Sequence, residues 1–178
     1  MNKLLPALLL AALLGLSQCK TPDAGPVEQL PAATQTGANT FGCLVNGQVW
    51  VPKGYNGTSN YSVDYEPVLN NGLFNLKTYR YPDASNDFQA ITLDVSSDFQ
   101  VKSYSFQNPK RTLAAFKDTK TGCFWINADS AVTYRRGVLT ITRLDKQAGV
   151  VSGTFWFTLY KPGCDSVRVT QGRFDKKL

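Results

Sequence analysis

Val150-Val151-Ser152-Gly153-Thr154-Phe155-Trp156-Phe157-Thr158-Leu159-Tyr160 is the stretch that decides the fold class. Val151, Gly153, Phe155, Phe157 and Leu159 alternate with Ser152, Thr154, Thr158 and the amphipathic Trp156 and Tyr160. A period of two sends these sets to opposite faces, which is the pattern of an antiparallel strand with one buried and one wetter side. Gly153 interrupts this run, and Gly172 interrupts a later one. A glycine inside a strand marks a bulge or a close backbone approach.

Working outward, residues 123–127, 138–144 and 166–174 form β-prone runs on either side. Arg136-Gly137, residues 146–149 and Pro162-Gly163 separate them. This predicts a four-strand C-terminal meander. Upstream, 43–45 and 48–50 flank Asn46-Gly47, a hairpin signal because both turn residues tolerate positive φ. Residues 61–66, 73–81, 91–95 and 101–106 read as further strands, while 113–116 fits a strand or a helical turn. The fold expected is all-β, an antiparallel sandwich or a small barrel of roughly eight to ten strands.

The N-terminus reads differently. Asn2 and Lys3 precede an apolar run, Leu4 to Leu16, of 13 residues. A membrane span needs roughly 20, so the run fits a signal peptide. Leu16-Ser17-Gln18-Cys19 resembles a lipobox, which makes Cys19 the expected lipidation site and mature N-terminus. Residues 20–38 hold Pro22, Pro26 and Pro31 and few large apolar side chains, which predicts a flexible linker. The chain therefore divides into a signal peptide (1–18), a lipidated cysteine with linker (19–38) and one β domain (39–178). The expected location is the cell envelope, on the periplasmic side, with the membrane as a partner through the lipid.

Composition excludes several chemistries. The chain has no His, which removes Ser-His-Asp and Cys-His catalysis. Its net charge of +6 comes from scattered Lys and Arg, whereas a nucleic-acid protein clusters them. Asp83, Ser85, Asp87 and Asp94 have calcium-loop spacing, but Phe88 stands where that loop needs Gly. With three dispersed Cys and no Cys-x-x-Cys, zinc is not expected, nor any other metal or cofactor. Asp64 and Glu66 share a strand face and are the one carboxylate pair to weigh for glycan hydrolysis.

Cys43, Cys123 and Cys164 remain as disulfide candidates. In the predicted meander Cys123 and Cys164 lie at opposite ends of the sheet. This disfavours joining them, since a bond needs Cα atoms within about 7 Å. Cys43 with Cys164 is the pairing expected, and it requires the first hairpin to lie beside the last strand.

Tyr55, Tyr61, Tyr65, Tyr79 and Tyr81 crowd a stretch rich in Asn, Ser and Gly. Aromatic rings beside amides suit a glycan or a protein partner. Residues 40–50 follow the pattern Thr-Phe-Gly-Cys-x-Val-Asn-Gly-x-x-Trp, and the chain closes with Ser-Gly-Thr-Phe (152–155) and Gly-Arg-Phe-Asp (172–175). With these motifs the chain resembles a family of short, uncharacterised bacterial lipoproteins. The resemblance implies export, lipidation and a β fold, and no activity. The function expected is a non-catalytic binding or docking module. A lipocalin-like carrier of a small apolar or glycan ligand, and a glycan-active enzyme using Asp64 and Glu66, are the alternatives.

Overall fold

A computed structural model describes residues 28–82 and 85–178. The signal segment, Cys19 and Asp83 lie outside the described residues. The described residues form eleven strands: β1 (Thr40–Val45), β2 (Gln48–Trp50), β3 (Tyr61–Glu66), β4 (Leu73–Arg80), β5 (Gln89–Val95), β6 (Ser103–Ser105), β7 (Thr112–Asp118), β8 (Cys123–Ile126), β9 (Tyr134–Asp145), β10 (Val150–Lys161) and β11 (Asp165–Lys177). Among the described residues the only helical piece is a 3-10 turn, Leu69–Asn71.

The strands form two antiparallel sheets. Sheet A has the order β2-β1-β11-β10-β9-β6, and sheet B has β3-β4-β5-β7-β8. Each sheet keeps its own edges, so the architecture is a sandwich and the closed-barrel alternative falls. Residues 113–116 are strand, inside β7 and flanked on both sides in sheet B. Asn46 and Gly47 have φ of 49° and 84°, the two positive values that a tight β1–β2 hairpin needs.

Alternation builds the core. Val151, Phe155, Phe157 and Leu159 are buried, whereas Thr154, Trp156 and Tyr160 are exposed. Between the sheets Phe74 stacks on Phe99 with ring centroids 4.6 Å apart, and Phe41 stacks on Phe155 at 5.4 Å. Large aromatic side chains thus fill the space where a lipocalin-like carrier would hold its ligand.

Gly153 and Gly172 are sites of close approach. Phe155 sits opposite Gly172, and Gly153 sits opposite Phe174. A Cβ on Gly172 would lie 2.6 Å from three atoms of the Phe155 ring, and one on Gly153 would lie 2.5 Å from the Thr140 carbonyl. Each ring covers a bare stretch of the neighbouring strand. Register shifts beside both glycines mark the bulges. Gly172→Ala is expected to cost about 2 kcal/mol through overpacking, measured as a fall in the urea midpoint at unchanged slope.

The expected cysteine pairing is corrected. Cys123 and Cys164 are bonded, with Cα atoms 5.7 Å apart, and Cys43 is free and buried. The meander holds for β9, β10 and β11, but β8 is not their neighbour. Residues 127–133 carry the chain from sheet B back to sheet A. Cys123 therefore faces the β10–β11 turn across the sandwich, and the bond staples the two sheets together. The premise behind Cys43 was sound, since β1 does pair with β11. Cys43, however, points into the core. Burial pushes its thiol well above the usual range against a weak opposing pull from Arg80, so it stays a neutral apolar side chain.

The linker expectation is also corrected, for residues 28–38. This segment has no regular structure, yet it is strapped across the outer side of sheet A. Pro31 lies against Gly42, where a Cβ would come within 2.5 Å of its ring. Asp175, fully buried, holds the end of the strap. Its Oδ2 accepts from Thr34 Oγ1 at 2.7 Å, the Thr36 amide at 2.8 Å and the Ala38 amide at 3.0 Å. Its Oδ1 accepts from the Gly37 amide at 2.8 Å and Ser152 Oγ at 2.7 Å. Among the described residues no cation pairs with it. Burial pushes the carboxyl up, but these donors, with the Ala38 amide foremost, outweigh burial and hold it well below the usual carboxylate range.

Candidate binding face

The outer side of sheet A carries a continuous set of aromatic and basic side chains. Period two on β9, β10 and β11 sends Tyr134, Arg136, Trp156, Thr158, Tyr160 and Arg168 outward. The register then aligns them in rows. Tyr160 pairs with Tyr134 and with Ser166; Thr158 pairs with Arg136 and with Arg168; Trp156 pairs with Val138. Tyr134, Trp156 and Tyr160 are 46%, 44% and 38% exposed. None of these outward positions is acidic. Further along, Asp175 points the same way but is sealed under the strap, and Asp145 is paired with Arg143 at 2.8 Å.

Two shallow hollows flank Trp156. One, of about 410 Å³, runs between Trp156, Arg173 and Ala33 of the strap. The other, of about 510 Å³, lies between Tyr134, Trp156 and Arg168. The strap thus forms one wall of the face, and Arg173 Nη1 fixes it by donating to the Pro31 carbonyl at 3.4 Å. Arrayed rings beside guanidinium groups can stack on sugar rings while pairing with carboxylate or sulfate substituents. They can also dock a protein.

The tyrosines that crowd one stretch of sequence do not form one platform. Tyr61 is 6% exposed, inside the core against Phe41. Burial, with Asp175 nearby, pushes its phenol well up. Tyr65 is half-buried against Phe99. Tyr55 stands exposed on the β2–β3 loop. Tyr79 and Tyr81 meet edge-on at 5.8 Å. The Tyr79 hydroxyl is held by the 54–60 loop, accepting from the Asn56 amide at 3.2 Å and facing the Thr58 carbonyl at 2.7 Å. Tyr79 does line a hollow of about 450 Å³ on sheet B, with Lys77, Asn56 and Phe88.

Asp64 and Glu66 are exposed on the outer side of β3, an edge strand. Among the described residues no strand lies beyond that edge to enclose a substrate between the two carboxyl groups. The acids with calcium spacing are also separated. Asp87 is in the β4–β5 loop bonded to Ser85, whereas Asp94 is on β5 against Asn75. Burial pushes Asp94 up, with Asn75 and Lys77 acting the other way.

No curated protein and no solved structure matches the chain. A family described as a domain of unknown function, DUF6252, matches residues 82–176. That span runs from the loop before β5 almost to the end of β11, and it includes the whole aromatic–basic face and the disulfide. It covers more than half of the chain, and the chain belongs to this family.

Proposed function

We propose that the protein is an exported, lipid-anchored protein of the cell envelope that acts as a non-catalytic binding module, and that the outer face of sheet A binds an anionic glycan. One observation carries the choice of ligand class: Tyr134, Trp156 and Tyr160 interleave with Arg136 and Arg168, and no acid stands in these rows. Export is supported by the signal-like N-terminus and by a disulfide, a bond that persists in oxidising compartments. Cys19 carries the lipid in this reading.

The test uses oligogalacturonate as an anionic probe and cellohexaose as a neutral one. Titration calorimetry should detect the anionic probe and at most weak binding of the neutral one. Affinity should fall with added salt, as it does for exposed charge pairs. Trp156→Ala should weaken binding by about tenfold, and Arg136 and Arg168 changed together to Gln by a similar factor. Equal affinity for both probes, or binding that survives Trp156→Ala unchanged, would refute the assignment of this face.

A further inference from the structure

The rows on the outer side of sheet A are interrupted beside Trp156. Phe155 of β10 pairs with Gly172 and Phe157 pairs with Val169, so two residues of β11, Thr170 and Gln171, stand opposite the single residue Trp156. On the other side of β11, Gly42 pairs with Arg173 and Leu44 with Thr170, so Gln171 and Gly172 stand opposite Cys43. Gln171 is the residue common to both interruptions. Counted in twos from the buried Val167 and Val169, Gln171 belongs to the inward set. It is exposed instead, and the inward places pass to Gly172 and Phe174. A bulge re-aims a side chain in this way.

The re-aimed residue is also strained. Gln171 has a φ of 52°. Among the described residues the other non-glycine positions with positive φ are all Asn or Asp, and none lies in the interior of a strand. Asn and Asp visit the left-handed region readily, whereas Gln has no such tolerance. Strain of this kind persists where the surrounding structure holds it, and it clusters where ligands are bound.

The bulge brings the Gln171 amide to the middle of the face. Trp156 and Gln171 are the two residues that line both hollows, the one of about 410 Å³ and the one of about 510 Å³. Arg173 orients the amide. Its Nε donates to the Gln171 carbonyl at 3.1 Å, and its Nη2 donates to Gln171 Oε1 at 3.5 Å. Among the described residues Gln171 Nε2 has no acceptor, so its hydrogens are open to a ligand.

We propose that Gln171 selects the sugar bound on this face, and that the ligand is a polyuronate whose ring hydroxyls are free. A sugar ring stacked on the Trp156 indole carries its hydroxyls around its rim, where an amide beside the indole donates to them. Arg136 and Arg168 read charge, which every polyuronate carries. Gln171 reads the arrangement of hydroxyls, in which polyuronates differ. This inference rests on the glycan reading of the face.

The test is calorimetry and NMR on the full chain in non-ionic detergent, with oligogalacturonate and oligomannuronate of equal length. The two probes carry equal charge and differ in hydroxyl arrangement. The variant is Gln171→Gly, because Gly takes the left-handed conformation without strain while the amide is removed. The wild type should prefer one probe by at least about fivefold. Gln171→Gly should bind that probe about three- to tenfold more weakly, the worth of one neutral hydrogen bond, and its preference should shrink to within about twofold. Its melting temperature should stay within about 2 °C of the wild type or rise. In the wild type the preferred probe should shift the Gln171 side-chain amide together with the Trp156 indole N–H. Selection by Gln171 is overturned, with the face left standing, by any of four results. These are no preference in the wild type, an undiminished preference or affinity in Gln171→Gly, a Gln171 amide that stays put while Trp156 shifts, and a melting temperature that falls by more than about 2 °C. Binding of neither probe, or binding indifferent to Trp156→Ala, would overturn the face and this inference with it.

Discussion

Asp175→Asn is expected to destabilise the domain by about 3 kcal/mol and to free the strap. The carboxylate accepts from three backbone amides and two close hydroxyls, with Thr36 Oγ1 a third at 3.5 Å. Asn matches its shape but offers one oxygen, and its amide nitrogen turns two hydrogens toward other donors. At least one backbone N–H and one hydroxyl would then lose their acceptor in a buried place. Urea unfolding gives the size of the loss. Hydrogen exchange gives its location: the Thr36, Gly37 and Ala38 amides should be protected in the wild type and exchange freely in the variant. If the midpoint and the three amides are unaffected, Asp175 is not the latch.

The same carboxyl makes stability depend on pH. An unfolded Asp titrates near 3.9, and the folded Asp175 carboxyl titrates well below that. Between the two values the unfolded chain binds more protons, so stability rises with pH there. Its contribution is fully present above about pH 5 and drains away as pH falls through the folded value. The difference in stability between the wild type and Asp175→Asn should therefore be largest near neutral pH and shrink in acid. A difference that stays constant down to pH 2 would mean that the charge is not what the donors hold.

Much of the fold could be read from period two and from turn residues, because both are local. Residues 150–160 declared their two faces, and Asn46-Gly47 declared its hairpin. Leu113-Ala114-Ala115-Phe116 did not, because outward-facing Ala115 is itself only 4% exposed and breaks the alternation. Which sheet a strand joins is not a local property. Nothing in 123–127 says that β8 stays in sheet B. The crossover is pinned by Asn127, whose Oδ1 accepts from the Ala114 amide and whose Nδ2 donates to the Phe106 and Thr112 carbonyls. A polar side chain in a loop gives no sign of such partners. The binding face was half visible. Alternation placed Trp156 and Tyr160 on the wetter side, but bringing them beside Tyr134, Arg136 and Arg168 depends on a register set by bulges. Tyrosine density between 55 and 81 misled for the converse reason. Neighbours in sequence can face opposite sides of a sheet, as Tyr61 and Tyr79 do. The strap was hidden because its proline-rich composition signals only the loss of regular structure, while its acceptor lies 137 or more residues away.

Removing the Cys123–Cys164 bond is expected to cost as much as any single change in the core. The bond closes a sequence separation of 41 residues, for which the loss of loop-closure entropy in the unfolded chain corresponds to about 4 kcal/mol. The closed loop contains β8, β9 and all of β10, so an unfolded chain that keeps the bond still holds the start of β8 near the β10–β11 turn. Cys123→Ala with Cys164→Ala is the cleaner variant, since Ser at the 8%-exposed position 123 would bury a hydroxyl. The fall in melting temperature should be on the order of 10 °C. Both proteins should carry Cys43→Ala, so that no thiol can exchange with the bond during unfolding. A smaller effect has a specific meaning. If reduced and oxidised proteins melt within about 2 °C of each other, the unfolded chain already keeps the two ends close, or the sheets hold apart without the staple. The second case can be told from the first in the folded protein, because only there would the Trp125 indole lose its bond to the Asp165 carbonyl beside Cys164.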